Sequence, residues 1–179
     1  QIPTAIRECL NHEGIRGGLV SHGSSTVPKY IVDEINALGG NIQNAYGISL
    51  AELKEAITCG INKINVDTDI RLAVTRNMKE LFAGYPELRE SPSIGGVYQL
   101  LENNKDQFDP RVFLPPVMDT VMYGNIPDGD VARLMECVEK GVKEAVGTLI
   151  VQFGAYGKAP LVKRPSLEEM KEYYKNEGK

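Results

Sequence analysis

The chain has 179 residues, with 20 Lys and Arg against 24 Asp and Glu, a formal net charge of −4. Its basic residues are scattered, which argues against a nucleic-acid or anionic-membrane partner, and no apolar run reaches the roughly 18 residues of a membrane-spanning helix. Cys9, Cys59 and Cys137 are odd in number and widely spaced, suggesting neither a disulfide framework nor a metal pair, which fits a cytoplasmic protein. Gln1-Ile2-Pro3 has no start Met and no basic or apolar leader, and reads as the interior of a longer chain.

In chain order, residues 3–13 predict a helix, with Ile6 and Leu10 on one face. Gly14, Gly17 and Gly18 end it and lead into a strand at 18–22. Ser24-Ser25-Thr26 followed by Pro28 marks a helix start. Tyr30, Ile31, Ile35 and Leu38 form that helix's stripe, and Gly39-Gly40 stop it. Ser49 with Glu52 forms a capping box for a helix through Leu50, Leu53 and Ile57 to Gly60. A second strand covers 61–66. Asp67 or Thr68 then caps a long helix carrying Ile70, Val74, Met78, Leu81 and Phe82. Repeated βα units of this kind imply a parallel sheet.

The second half is more broken. Residues 84–95, with Pro86, Pro92, Gly84 and Gly95, read as a surface excursion. Leu100-Leu101 lie in a short helix, Asp109-Pro110-Arg111 forms a turn, and Pro115-Pro116 and Asn125 to Gly129 are breaks. A long amphipathic helix from Val131 to about Phe153 follows, striped by Leu134, Val138, Val142, Val146 and Leu149, with Glu136 and Lys140 as an i, i+4 pair. Ser166 to Tyr174 is a short helix with Glu169 at the capping-box position. Two strands do not make a stable sheet alone, so either the fold is unusual or further strands lie outside this sequence.

Polar residues gather at the two strand ends. His22 ends the first apolar run, and a histidine there is a metal ligand, a general base or simply a hydrogen-bonded side chain. Gly23-Ser24-Ser25 supplies backbone amides and hydroxyls beside a helix start, a combination suited to a phosphate, though an N-cap serine pair explains it equally. At the second strand end, Asn65 and Asp67 alternate onto one face, Thr68 offers a hydroxyl at a helix start, and Arg71 one turn on can pair a phosphate. An Asp/Thr cap with a solvated Arg is the plain alternative. Two such ends in one chain favour a phosphorylated ligand.

These residues resemble a known family. Leu19-Val20-Ser21-His22-Gly23-Ser24-Ser25-Thr26-Val27-Pro28, then Tyr46-Gly47-Ile48, then Lys63 through Ala73 are similar to the C-terminal part of class II fructose-bisphosphate aldolases. Phe108-Asp109-Pro110-Arg111, Phe153 to Gly157, and Ser166 to Met170 match that family's late segments. The resemblance implies an α/β fold: the C-terminal portion of a (β/α)8 TIM barrel, strands seven and eight at 18–22 and 61–66, plus extra C-terminal helices. Residues 1–179 would then be one part of a single barrel domain whose earlier strands are absent. It also implies Zn²⁺-dependent, reversible aldol cleavage of fructose 1,6-bisphosphate to dihydroxyacetone phosphate and glyceraldehyde 3-phosphate, by a homodimer or higher homo-oligomer. His22 matches a zinc ligand. Gly23, Ser24 and Ser25 match the loop around the dihydroxyacetone phosphate group. Asn65, Val66, Asp67 and Thr68 match a second substrate segment, Arg71 a position able to reach the other phosphate, and Arg111 an arginine that reaches the neighbouring subunit's site.

Two departures stand out. The family's Asp-His-Gly motif, with its proton-transferring Asp and a zinc histidine, is absent, as is a further zinc histidine; His12 sits in the wrong context. The resemblance therefore implies no catalytic residue in this chain and no turnover by it alone. Ile48-Ser49 also replaces the usual apolar-Pro pair, and 84–107 and 117–135 look longer than in compact relatives. Tagatose-bisphosphate aldolase and a non-catalytic phosphate-binding module are the alternatives.

Overall fold

The computed structural model describes residues 2–15, 17–123 and 129–176. Two strands, β1 (Leu19–Ser21) and β2 (Ile61–Ile64), pair in parallel with Leu19 opposite Ile61 and Ser21 opposite Ile64. Both are shorter than the runs at 18–22 and 61–66 suggest. Their residues are half-buried or exposed, and no third strand joins them among the described residues. The described chain is therefore a mostly helical α/β arrangement.

The remaining elements are helices: α1 (Ile2–His12), α2 (Lys29–Ala37), α3 (Leu50–Thr58), α4 (Thr68–Gly84), α5 (Gly95–Asn103), α6 (Pro110–Phe113), α7 (Pro115–Met122), α8 (Gly129–Gln152) and α9 (Leu167–Asn176). No described helix is long and apolar enough to cross a membrane. Local signals set many of these limits. Ser49 and Glu52 form the reciprocal capping box of α3, and Ser166 and Glu169 exchange the same pair of bonds before α9. Gly39 and Gly60 take positive φ of 87° and 101° just past α2 and α3, as helix-ending glycines do.

The core lies between helices. One cluster joins Val74, Met78, Leu81 and Phe82 of α4 to Leu88, Ile94, Val97, Leu101, Phe113, Val117, Val131 and Leu134. A second joins Ile31, Val32 and Ile35 of α2 to Ile42, Leu72, Ala73 and Ala145. Arg76 ties the helices at the edge of this layer. It bonds Glu34 of α2 and Glu80 of α4, each at 3.2 Å, and Glu144 of α8. By contrast α1 buries no residue. The Ile6–Leu10 stripe finds no core, and Arg7 secures the helix instead, donating to the Gly17 and Gly60 carbonyls at 2.9 and 3.1 Å and to Asn62 Oδ1 at 2.7 Å.

Four expectations need correction. Residues 84–95 are not a surface excursion: Pro86–Glu90 forms a 3-10 turn, Leu88 and Ile94 are buried, and Arg89 donates to the Phe82 carbonyl at 3.0 Å while stacking on Tyr98. Proline opens a short helix rather than a turn at 110 and a helix rather than a break at 115, where its missing N–H costs nothing. The stripe of α8 turns outward in its second half, where Val142 and Val146 are 37% and 36% exposed. Gly141 and Ala145 face α4 instead, and a Cβ on Gly141 would stand 2.7 Å from the Val74 Cα. The pair Glu136–Lys140 is replaced by Glu139–Lys143 at 2.7 Å. Of the expected Asn125–Gly129 break, residues 124–128 lie outside the described residues, and Gly129 already begins α8.

Candidate functional site

Parallel pairing brings the C-terminal ends of β1 and β2 side by side, and the Asn65 N–H donates to the Ser21 carbonyl at 2.9 Å. Two loops emerge there. Residues 22–28 run from β1 to α2, and residues 65–67 run from β2 to α4. Asn65 and Asp67 lie beyond the strand, so strand alternation does not place them on one face. Asn65 turns to His22, and Asp67 turns to Arg71.

The first loop folds back on the start of α4. Gly23 takes φ +64°, a conformation that costs glycine nothing. Ser24 is fully buried, its Oγ 2.5 Å from Ser21 Oγ, so its hydroxyl is unavailable to a ligand. Ser25 does the capping expected of Asp67 or Thr68: its Oγ accepts the Asp67 and Thr68 N–H groups at 3.2 and 3.1 Å, and Asp67 makes no side-chain cap bond. The Gly23, Ser24 and Ser25 N–H groups make no hydrogen bond among the described residues. Gly23, Ser25 and Thr68, with Val27, Tyr46, Gly47 and Ile48, line a cavity of about 370 Å³ at the positive end of α4.

Residues 26–27 are held from beneath. Asp69, 3% exposed, accepts the Thr26 N–H at 3.0 Å and the Thr26 hydroxyl at 2.9 Å on one oxygen, and the Val27 N–H at 2.7 Å on the other. Val27 sits at φ +48°, left-handed backbone that disfavours a β-branched residue by about 1–3 kcal/mol. On the far wall, the Ile48 N–H donates to the Ser25 carbonyl at 3.1 Å. Gly47 lies so close to Thr26 that a Cβ would stand 2.3 Å from its carbonyl. Tyr46, Gly47 and Ile48 also border a larger cavity of about 740 Å³ between α2, residues 42–50 and the end of α8. The sequence signals Tyr46, Gly47 and Ile48 only as a matching run and Asp69 only as a first-turn acid. The partners of Gly47, Ile48 and Asp69 lie 21 to 43 residues away, beyond any local pattern.

His22 is exposed, one residue before the cavity-lining Gly23. Asn65 Oδ1 takes the Lys63 ammonium, leaving its NH2 to meet His22 Nδ1 at 2.8 Å. With Nδ1 accepting, the neutral ring carries its proton on Nε2, so Asn65 must move or turn before either nitrogen ligates a metal. No three His, Cys, Asp or Glu side chains converge on a metal position among the described residues. A catalytic zinc needs three protein ligands. These residues alone do not hold one.

Arg71 does not point free toward a ligand. Its guanidinium pairs Asp67, at 2.9 Å from Nε, and Asp109, at 2.6 Å from Nη1. Asp109 in turn caps α6, accepting the Arg111 N–H at 3.0 Å. The Arg111 side chain folds back on the same carboxylate, and with Arg71 nearby it holds the Asp109 pKa at about 2. Arg111 is 75% exposed. Val66, half-buried between Asn65 and Asp67, shows no side-chain role at the cavity.

The family model described as class-II fructose-bisphosphate aldolase matches residues 3–158. A fructose-bisphosphate aldolase of Xanthobacter flavus is 31% identical over 156 residues, 87% of this chain and 33% of its own length. One of Giardia intestinalis is 34% identical over 157 residues, 88% of this chain and 36% of its own length. One of Nostoc sp. is 33% identical over 150 residues, 84% of this chain and 31% of its own length. The chain spans about a third of the length of these curated relatives. With 156 of its 179 residues matched by the family model, the chain belongs to the class II fructose-bisphosphate aldolase family.

Proposed function

We propose that this chain supplies the sugar-phosphate side of a class II aldolase site, in a cytoplasmic enzyme that reversibly cleaves fructose 1,6-bisphosphate to dihydroxyacetone phosphate and glyceraldehyde 3-phosphate. β1 and β2 are read as the last two strands of a (β/α)8 barrel, with residues 1–179 as one part of that domain. The carrying observation is the cavity lined by Gly23, Ser25 and Thr68. It combines uncommitted backbone amides, a hydroxyl and the positive end of a 17-residue helix, the donor set that binds a phosphate.

The roles follow from placement. The Gly23 and Ser25 amides and the Ser25 hydroxyl bind the phosphate of the dihydroxyacetone moiety. Ser24 contributes its amide alone, since its hydroxyl is turned inward. Asn65, beside His22, and Thr68 orient the reacting end of the sugar. Val66 serves as the spacer between them. Arg71 meets the second phosphate only by exchanging its bond to Asp67, which is mostly exposed and free to swing away. Arg111, exposed on its turn, suits an arginine offered to a neighbouring copy in a homodimer or larger homo-oligomer. Zinc would draw one ligand from His22 and the others from residues outside this chain, as would the proton transfer. No step of the cleavage is therefore assigned to these residues.

Titrating dihydroxyacetone phosphate into the chain, followed through backbone amide resonances, tests the site. Saturable shifts at Gly23, Ser25, Asn65 and Thr68 are expected. Shifts confined to other segments, or none at millimolar ligand, would refute it. Fructose and tagatose bisphosphates offered to the same chain should both remain uncleaved, and turnover of either would show that the proton-transferring group is here after all.

A further inference from the structure

We propose that Asp69 is the positioning residue of the phosphate-binding loop: its buried carboxylate holds Thr26 and Val27 so that the donors of Gly23 and Ser25 stay directed to the cavity. The proposal rests on the phosphate reading of that cavity.

Three observations carry it. Asp69 occupies the first turn of α4, yet its oxygens do not cap that helix. They reach across to residues 42 and 43 positions earlier and accept three hydrogen bonds there, at 3.0, 2.9 and 2.7 Å. Val27, one of those donors, holds a left-handed φ of +48°, which a β-branched residue keeps only when its surroundings impose it. Val27 also lines the cavity, two residues after Ser25. Releasing Val27 to ordinary backbone would rotate the peptide planes on its N-terminal side and withdraw Ser25 Oγ from the Asp67 and Thr68 amides.

The carboxylate also sets where an anion binds. Next to the positive end of α4 lie two groups of loop amides. Those of Thr26 and Val27 are taken by Asp69, and those of Gly23, Ser24 and Ser25 are uncommitted. A buried negative charge repels a phosphate from the inner group and leaves it the outer one. Asp69 acts through the loop and touches no ligand.

The experiment compares wild type, Asp69→Asn, and Asp69→Asn combined with Val27→Gly. Each chain is titrated with inorganic phosphate, and in the two chains that keep Val27 its Cα and Cβ shifts are recorded as a measure of its φ. Leu134→Ala, buried in the other cluster, serves as a destabilised control. Asp69→Asn should weaken phosphate binding at least tenfold and move the Val27 shifts toward ordinary backbone. Val27→Gly should recover part of the affinity, because glycine adopts positive φ without strain. Leu134→Ala should lower thermal stability and leave affinity unchanged. If wild type binds and Asp69→Asn binds equally, or if the loss follows stability alone and Val27→Gly recovers nothing, the proposal is overturned while the phosphate reading stands. If wild type does not bind phosphate at this loop, the reading fails and the proposal with it.

Discussion

The two ends of α4 do opposite work. From Val74 onward, with Met78, Leu81 and Phe82, the helix is sealed into an apolar cluster against α5, α6, α7 and α8. Its N-terminal turn meets two half-exposed strands, a left-handed valine, a buried carboxylate and three uncommitted amides. One end is held by packing, which is strong and indifferent to chemistry. The other is held by a few directed hydrogen bonds, which are individually weak but place donors to within tenths of an ångström. The proposed binding chemistry lies at the end held by hydrogen bonds, as local stability arguments lead one to expect.

The largest test breaks the packed end. Phe82 is buried and meets Tyr98 with ring centroids 5.3 Å apart. Phe82→Ala should lower the unfolding free energy by about 3–5 kcal/mol, read from denaturant titration. At temperatures where the variant remains folded, the amide resonances of Gly23 and Ser25 should hold their positions. Movement of those resonances would mean that the two ends are coupled and that the contrast drawn between them is wrong.

The intermediate test strikes the other end. Gly47 has an ordinary φ, so its requirement is purely steric: a Cβ there would stand 2.3 Å from the Thr26 backbone. Gly47→Ala should cost about 1–3 kcal/mol as the walls part. Its effect on affinity for dihydroxyacetone phosphate should far exceed that of Phe82→Ala, despite the smaller effect on stability. Affinity that simply follows stability across both variants would erase the distinction.

Local rules reach the packed framework further than the site. Both capping boxes, the glycine stops of α2 and α3 and the long helix after Asp67 follow from residues within four positions of one another. The two-strand parallel pairing follows from the two apolar runs. Non-local geometry defeats the rest. The stripe through Val142 and Val146 looks like a buried face, but Gly141 and Ala145 allow α8 to approach α4 so closely that the small residues become the interface. Prolines and glycines at 84–95 read as a loop, while Leu88 and Ile94 anchor the segment inside. At the site, His22, Gly23, Ser25 and Thr68 stand out as residue types, but Ser24 turns inward, Arg71 and Arg111 are both engaged by Asp109, and Asp69 reveals its task only once residues 26 and 27 are seen above it.

The smallest expected effect lies at that shared aspartate, on the border between the two ends. Arg111 donates to both Asp109 oxygens and Arg71 approaches from α4, so the folded carboxyl titrates at about 2 instead of 3.8. A carboxylate whose folded pKa is depressed binds fewer protons than in the unfolded chain. Its contribution is therefore present above the ordinary value of 3.8, shrinks as pH falls below it, and is gone below about 2. Because Arg111 is solvent-exposed, screening keeps the contribution modest. Comparing wild type with Asp109→Asn isolates it from the other carboxylates that titrate in the same range. The stability gap between the two chains should be constant from pH 7 to about 5, narrow below about 4 and close near pH 2. A gap that is absent or independent of pH would mean that the charge of Asp109 contributes nothing and that its two arginines are held by the fold.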